Sequence, residues 1–169
     1  MNYFELFAIP VQLHVDKASL PLKFFELSKK YHPDYFINRP EDEQAEALER
    51  SALLNKAFKT FQTQDETIKY VLQLKGLLEE EEKYEMPAEF LMEVMEINEQ
   101  LAVDSQQSAV NSQQLAVEKI QSEIYEPVKE IVEGYQEGVT SEKELLQVKE
   151  YYYKKKYLNR IKQQLRDKP

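Results

Sequence analysis

The chain is poor in the residue types on which several kinds of functional site depend. Its 169 residues include no cysteine, no tryptophan and only 3 glycines. Without cysteine the chain can form no disulfide, no thiolate metal site and no thiolate-held iron–sulfur cluster of its own. So few glycines also exclude the glycine-rich loops that cradle phosphate groups, because such loops need several glycines close together.

The balance of charge and apolar residues narrows the class of protein further. The formal net charge is −9, which argues against nucleic-acid binding because phosphate contacts dominate that affinity. Apolar residues make up 42% of the chain and charged residues 31%, a balance that favours folded cores over disorder. No apolar run approaches the roughly 18 residues of a membrane span, and the first ten residues lack a secretory pattern. We therefore expect a cytoplasmic protein without a membrane partner.

Apolar residues recur at helical spacing through most of the chain. No segment alternates with period two for long enough to predict a strand, so the predicted fold class is all-α. We expect Pro33 to end one helix, Pro127 to kink another, and Thr140 or Ser141 to cap the last. A polar stretch from Asp104 to Ser108 interrupts the pattern. The predicted buried stripes are Leu20, Phe24, Leu27 and Tyr31; Ala47, Ser51, Leu54, Phe58 and Phe61; Val117, Ile120, Ile124, Val128, Ile131 and Tyr135; and Leu146, Tyr153, Tyr157, Ile161 and Leu165.

The aromatic residues divide between the two ends of the chain. Seven of the eight phenylalanines lie in the first 61 residues, and seven of the eleven tyrosines follow Glu82. This division indicates two small cores rather than one. Four consecutive glutamates, Glu79–Glu82, lie between them and are interpreted as a solvated boundary.

A single tripeptide, His32-Pro33-Asp34, lies between two amphipathic helices. Proline makes it a rigid, exposed turn that presents an imidazole and a carboxylate, and it directly follows Lys29, Lys30 and Tyr31. The simpler interpretation is a polar turn broken by proline. The tripeptide by itself is weak evidence of function, because it occurs by chance in roughly one chain in 100 of this length. Its position between two apolar-striped helices favours a functional turn.

These residues carry a resemblance to a known module. Residues 1–76 resemble a J domain, the DnaJ-like module of co-chaperones. The chain as a whole resembles the HscB family of iron–sulfur assembly co-chaperones, on the basis of residues 70–76 and 90–93 and of the order of the two units. The resemblance implies a J domain at 1–76, an acidic linker at 77–86 and a three-helix bundle at 87–169. The matching segments are Tyr3-Phe4-Glu5-Leu6-Phe7, Tyr31-His32-Pro33-Asp34, Asn55-Lys56-Ala57-Phe58, Tyr70-Val71-Leu72-Gln73-Leu74-Lys75-Gly76 and Phe90-Leu91-Met92-Glu93.

The resemblance implies a protein that is not itself an enzyme. It would bind an ATPase chaperone of the HscA/DnaK type and favour the hydrolysis-competent state of that chaperone, a coupling free energy rather than bond chemistry. His32, Pro33 and Asp34 would make that contact. Lys23, Lys29 and Lys30 would steer the helix toward an acidic surface, although a solvated basic face explains these lysines as well.

The helix after Pro87 carries two apolar stripes. Phe90, Val94, Ile97 and Leu101 share one face and should be core, while Leu91 and Met95 lie off that face among glutamates. A helix of a three-helix bundle buries one stripe comfortably, so the second stripe is a partner surface or part of a wide core. The resemblance favours the first, with an IscU-type iron–sulfur scaffold as partner. Its implied contacts are Leu91, Met92, Met95, Glu96, Glu99 and Tyr153.

Other classes of function find weaker support in the sequence. The two histidines, His14 and His32, have no partners at metal-ligand spacing, so we expect neither a metal site, a cofactor nor a catalytic site. The aromatic and basic run from Tyr151 to Lys156 suits a solvated helix face better than a nucleic-acid surface. Two alternatives stay open: a helical adaptor with an accidental His-Pro-Asp turn, and a J protein of general quality control.

The net charge has a definite location along the chain. Residues 78–104 contain one basic and ten acidic residues, while the segments before and after them are almost neutral. The whole excess of negative charge therefore lies on the predicted linker and on the helix that carries Leu91 and Met95.

Overall fold

The computed structural model describes residues 1–103 and 107–167, and the side chains of 98, 100–103 and 107–109 lie outside that description. Within these ranges every regular element is an α-helix or a 3₁₀ turn, which confirms the all-α prediction. No helix in the described ranges is both long and apolar enough to cross a bilayer. The predicted polar interruption at Asp104–Ser108 falls largely on the undescribed residues 104–106.

The helices group into two compact units. One comprises residues 1–71 with 136–139, and the other comprises residues 72–135 with 140–169. The division of the chain at 76 and 86 stays a prediction. The helices are α1 Tyr3–Phe7, α2 Leu20–Tyr31, α3 Glu41–Phe61, α4 Gln64–Leu74, α5 Ala88–Val103, α6 Gln107–Tyr125, α7 Lys129–Glu133 and α8 Glu142–Arg166.

Phenylalanine rings form the centre of the first unit. Phe61, near the end of α3, lies 5.0 Å from the ring of Phe4 and 5.3 Å from that of Phe7. The side chain of Phe24 on α2 stacks on that of Phe58 on α3 at 4.2 Å. Because Phe24 lies in the first half of α2 whereas Phe58 lies in the last turn of α3, the two helices run antiparallel. Five of the seven phenylalanines in the first 61 residues thus take part in these ring contacts.

Proline sets the ends of the helical hairpin. Pro21 occupies the first turn of α2, where its missing N–H costs no hydrogen bond. Pro33 prevents continuation of α2 and begins a 3₁₀ turn, Pro33–Phe36. Pro40 immediately precedes α3, whose first turn carries acidic residues that suit a helix N-terminus. The predicted helix end at Pro33 is confirmed.

Three long helices, α5, α6 and α8, pack together in the second unit. The predicted stripe of α5 is buried as far as Ile97, and the side chain of Leu101 lies outside the described residues. The sequence predicts a helix kinked at Pro127, whereas the structure has a 3₁₀ turn, Glu126–Val128, that separates α6 from α7 there. The residues buried in this core are Phe90, Val94, Ile97, Val110, Val117, Ile120, Leu158, Ile161 and Leu165.

The start of α8 corrects one predicted contact. Of the two predicted caps, Thr140 and Ser141, it is Ser141 that caps the helix, through a reciprocal pair of hydrogen bonds with Glu144. The prediction that Leu146 is buried is wrong, because Leu146 is exposed and Leu145 is buried instead. The position of Val148, which is buried, explains why Leu145 rather than Leu146 is buried. Val148 follows Leu145 by three positions, on the same face, but lies almost opposite Leu146.

Candidate functional site

The His-Pro-Asp turn lies on the surface of the first unit. The side chains of His32 and Asp34 are 54% and 78% exposed. The backbone of His32 is extended, as the residue before a proline prefers. Its Nδ1 accepts a hydrogen bond of 3.2 Å from the N–H of Asp34, and its carbonyl accepts one of 3.0 Å from Tyr35. The same Nδ1 lies 3.6 Å from Oδ2 of Asp34, so the imidazole and the carboxylate are held close together in the turn.

The three predicted lysines do not share one environment. Lys29 and Lys30 are exposed, with their ammonium groups 4.5 Å and 5.3 Å from the ring centres of Phe25 and Tyr31. Lys23 is half-buried, and its Nζ lies 3.5 Å from the carbonyl oxygen of Phe7 at the end of α1. Lys23 therefore supports a helix C-terminus, whereas Lys29 and Lys30 leave their charge near the turn.

Sequence patterning missed an apolar contribution to this surface. Leu22 and Phe25 on α2, and Tyr35 in the turn, are exposed large side chains. Leu22 and Phe25 lie off the stripe that begins at Leu20, and this displacement is the signal that would have identified them. Exposed apolar groups thus accompany the lysines along α2 and in the turn.

On α5 the two apolar stripes separate as their spacing indicated. Phe90, Val94 and Ile97 are buried, whereas Met92 and Met95 are 67% and 51% exposed. Leu91 is half-buried beside them. The residues Glu96 and Glu99 are also exposed. Thus Met92 and Met95 are not core, and they lie on an acidic surface of the second unit.

Tyr153 differs from the other residues predicted for this surface. It is only 8% exposed, and its hydroxyl donates a hydrogen bond of 3.1 Å to Oε2 of Glu82. Its ring stacks on that of Tyr84, with 4.5 Å between centres and 4° between planes. Burial and the neighbouring carboxylate of Glu82 raise the pKa of Tyr153 well above its usual range.

Glu82 is the residue that sequence reasoning interpreted most differently. It was expected to be solvated with its three neighbours, but its carboxylate is half-buried and accepts hydrogen bonds from Lys149 Nζ at 3.0 Å and from Tyr153. Donation by Lys149 is the main cause that lowers the pKa of Glu82. A groove of about 600 Å³ lies beside this network. Its lining includes Tyr84, Met86, Leu91, Tyr153, Lys156 and Arg160.

The described residues offer no arrangement suited to binding a metal ion. Within 1–103 and 107–167, no three side chains of histidine, aspartate or glutamate are grouped so that they could hold one.

Known proteins resemble this chain in sequence and in structure. A family model described as the HSCB C-terminal oligomerisation domain matches residues 86–166. Co-chaperone protein HscB homologs from two strains of Vibrio cholerae serotype O1, M66-2 and ATCC 39315, are each 36% identical to it over 102 residues. That match spans 60% of this chain and 60% of each relative, so it covers less than two thirds of their length.

Solved structures match over almost the whole chain. The crystal structure of the human co-chaperone protein HscB superposes with a TM-score of 0.80 at 29% identity, covering 98% of this chain and 81% of that one. The chaperone HscB from Vibrio cholerae gives a TM-score of 0.74 at 26% identity, covering 98% of this chain and 96% of that one. The family model, the relatives and the solved structures thus all support the assignment of this chain to the HscB family.

Proposed function

We propose that this protein is a co-chaperone that binds an IscU-type iron–sulfur scaffold and delivers it to an HscA/DnaK-type ATPase chaperone. It would stimulate ATP hydrolysis by that chaperone without catalysing a reaction itself. The observation that carries the proposal is the presence, in one chain of the HscB family, of an exposed His-Pro-Asp turn and a separate exposed apolar stripe. The predicted cytoplasmic location accords with this role.

The His-Pro-Asp turn suits recognition by a partner. Pro33 fixes one backbone angle, and two local hydrogen bonds hold His32 against Asp34 and Tyr35. A turn held in this way loses little further entropy when it binds. If it binds the hydrolysis-competent state of the ATPase better than the other state, it shifts the partner toward hydrolysis by that difference in affinity.

Charge near the turn would set the rate and orientation of encounter. Lys29 and Lys30 are exposed within one helical turn of His32. An acidic patch on the ATPase would attract them, and that attraction would weaken as salt is added. Phe25, which lies 4.5 Å below the ammonium of Lys29, would add apolar contact area.

The scaffold would bind at α5 through apolar contact and charge together. Met92 and Met95 present flexible thioether side chains that adapt to a partner surface. Glu96 and Glu99 lie on the same helix, within the segment that holds the net negative charge of the chain. We therefore expect the complementary surface of the scaffold to combine apolar residues with lysine or arginine.

The absence of cysteine agrees with a role in which another protein holds the iron–sulfur cluster. The chain has no thiolate with which to hold a cluster. In the proposed function the cluster stays on the scaffold, and this protein acts on the protein that carries it.

The test is a pair of variants that separate the two surfaces. His32→Gln should keep the fold and bind a purified IscU-type scaffold normally, yet lose stimulation of ATP turnover by a purified HscA-type chaperone. Replacement of Leu91, Met92 and Met95 by alanine should weaken scaffold binding while stimulation by the protein alone persists. His14→Gln is the matched control, because His14 is exposed and is the other histidine of the chain.

Each alternative function predicts a different result. An adaptor with an accidental turn would leave ATP turnover unchanged whether or not His32 is replaced. A J protein of general quality control would lose stimulation with His32→Gln but would not bind the scaffold in either form. Either result would overturn the proposal.

A further inference from the structure

Glu82 stands apart from the three glutamates that precede it. Glu79, Glu80 and Glu81 are exposed, as a solvated linker requires, but Glu82 is half-buried within the second unit. A carboxylate leaves water at a cost, which must be offset by charged or hydrogen-bonded partners. Its contacts therefore identify what holds this part of the acidic segment.

The partners of Glu82 come from two successive turns of α8. Lys149 Nζ lies 2.9 Å from Oε2 and 3.0 Å from Oε1, and the Tyr153 hydroxyl donates to Oε2 at 3.1 Å. The Lys149 side chain is itself largely buried. Because Lys149 and Tyr153 are four residues apart, they share one face of the helix and converge on a single carboxylate.

Tyr84 extends the same attachment by two residues. Its ring is almost parallel to that of Tyr153, and Lys149 Nζ lies 5.8 Å from its centre. Tyr84 also lines the groove to which Leu91 contributes. Glu82 and Tyr84 thus contact the same two side chains of α8, Lys149 and Tyr153, at one wall of the groove.

We propose that Glu82 and Tyr153 are positioning residues that latch the segment 82–86 onto α8 and thereby shape the Leu91 side of the scaffold-binding surface. The effect on scaffold binding rests on the proposed function, whereas the attachment of residues 82–86 to α8 rests on the contacts alone. Tyr153 acts through its hydroxyl, by holding Glu82, rather than by presenting that hydroxyl to the scaffold.

The first experiment measures the latch without any partner. Lys83 is exposed within the latched segment, so trypsin cleavage after Lys83 reports how often that segment opens. Tyr153→Phe and Lys149→Met lie far from the cleaved bond in sequence, so they leave its intrinsic susceptibility unchanged. Each should accelerate cleavage after Lys83 by about fivefold or more, the equivalent of one lost hydrogen bond.

Controls distinguish a local latch from general destabilisation. Lys143→Met, on an exposed residue of the same helix, should leave cleavage after Lys83 unchanged. Cleavage after Lys129, elsewhere in the second unit, should stay constant in every variant. Equal acceleration at Lys83 and Lys129 would mean that the substitutions loosen the whole unit, and it would overturn the latch.

The second experiment asks whether the latch acts on binding. Glu82→Ala should weaken affinity for a purified IscU-type scaffold by roughly tenfold, and Tyr153→Phe by roughly threefold. In the Glu82→Ala background, Tyr153→Phe should have no further effect, because the hydroxyl has lost the group that it holds. Glu82→Gln, which keeps an accepting oxygen, should fall between Glu82→Ala and the unchanged protein, and Glu80→Ala is the control.

The outcomes separate this proposal from the proposed function. Unchanged cleavage after Lys83 overturns the latch whatever the scaffold does. Faster cleavage with unchanged scaffold affinity overturns the positioning role but leaves the proposed function intact. Additive effects of Glu82→Ala and Tyr153→Phe show that Tyr153 contacts the scaffold directly, which also overturns it. If the unchanged protein fails to bind the scaffold, both the positioning role and the proposed function are overturned. The rate of cleavage after Lys83 still tests the latch in that case.

Discussion

The two proposed binding surfaces are held in place by different means. In the first unit, Pro33 and the local hydrogen bonds of His32 form the turn within four consecutive residues. In the second unit, Leu91 lies beside Tyr84 and Tyr153, which are 69 positions apart in the sequence. One surface is a property of the local backbone, and the other is a property of tertiary packing.

This difference determines how each surface should respond to substitution. A turn made by the backbone tolerates changes in its surroundings as long as the two helices that flank it stay packed. A groove made by packing changes when any of its distant contributors changes. The comparison can therefore be tested by variants that act on the core, on the backbone, on the exposed stripe and on the charge.

Loss of the aromatic centre should have the largest effect. Phe61→Ala removes a fully buried ring that contacts Phe4 and Phe7, and it should lower the free energy of unfolding of the first unit by about 3–5 kcal/mol. Stimulation of the ATPase should fall with it, whereas scaffold affinity should stay unchanged. Urea unfolding followed by circular dichroism, with both binding assays, measures this. A parallel loss of scaffold affinity would contradict the separation of the two surfaces.

The second-largest effect is expected when the backbone restraint that Pro33 places on the turn is removed. Pro33→Ala releases its own backbone angle and removes the restriction on His32, without deleting a polar contact. Stimulation of ATP turnover should fall by roughly 10- to 100-fold. The midpoint of thermal unfolding should change by no more than a few degrees, because Pro33 is exposed. Pro21→Ala, in the first turn of α2, is the control and should keep full stimulation.

A smaller effect should separate two neighbours on α5. Leu91→Ala should weaken scaffold binding and also cost about 1–2 kcal/mol of stability, because Leu91 is half-buried in the groove. Met92→Ala should weaken binding but change stability by no more than about 0.5 kcal/mol, because its side chain is exposed. Calorimetric binding and urea unfolding of the two variants give both quantities. Equal stability costs would show that both residues belong to the core.

The same contrast explains what the sequence could predict. Helix ends follow from local chemistry, so the sequence predicts the end of α2 at Pro33 and a cap of α8 at Thr140 or Ser141, of which Ser141 is the cap. It also predicts an irregularity at Pro127, where the structure has a 3₁₀ turn between α6 and α7. The buried stripe of α5 follows from helical periodicity, which is equally local. The turn at His32 could be predicted from both, because a proline ends the helix before it and helical periodicity defines the helices on either side.

Tertiary contacts account for what was missed. Helical spacing before Tyr153 fits Leu146 at seven residues or Leu145 at eight, and Leu145 is the one buried, on the same face of α8 as Val148. Lys23 was expected to be a free charge, but it approaches the carbonyl of Phe7, 16 residues away. Glu82 was grouped with its neighbours because nothing in a run of glutamates shows which one meets Lys149.

The smallest predicted effect concerns the charge of Glu82. Hydrogen bonding to Lys149 lowers the pKa of Glu82 in the folded protein, so folding favours its ionised form. The resulting stability is fully present above the pKa of an unfolded glutamate, about 4.3, and is lost as the pH falls through the lower folded value. Glu82→Gln should therefore lower the free energy of unfolding by about 1 kcal/mol between pH 6 and 8, and this difference should shrink below about pH 4. Urea unfolding from pH 3.5 to 8 measures it, with Glu80→Gln as an exposed control. A difference that persists undiminished in acid would mean that the shape of the side chain, rather than its charge, holds the segment to α8.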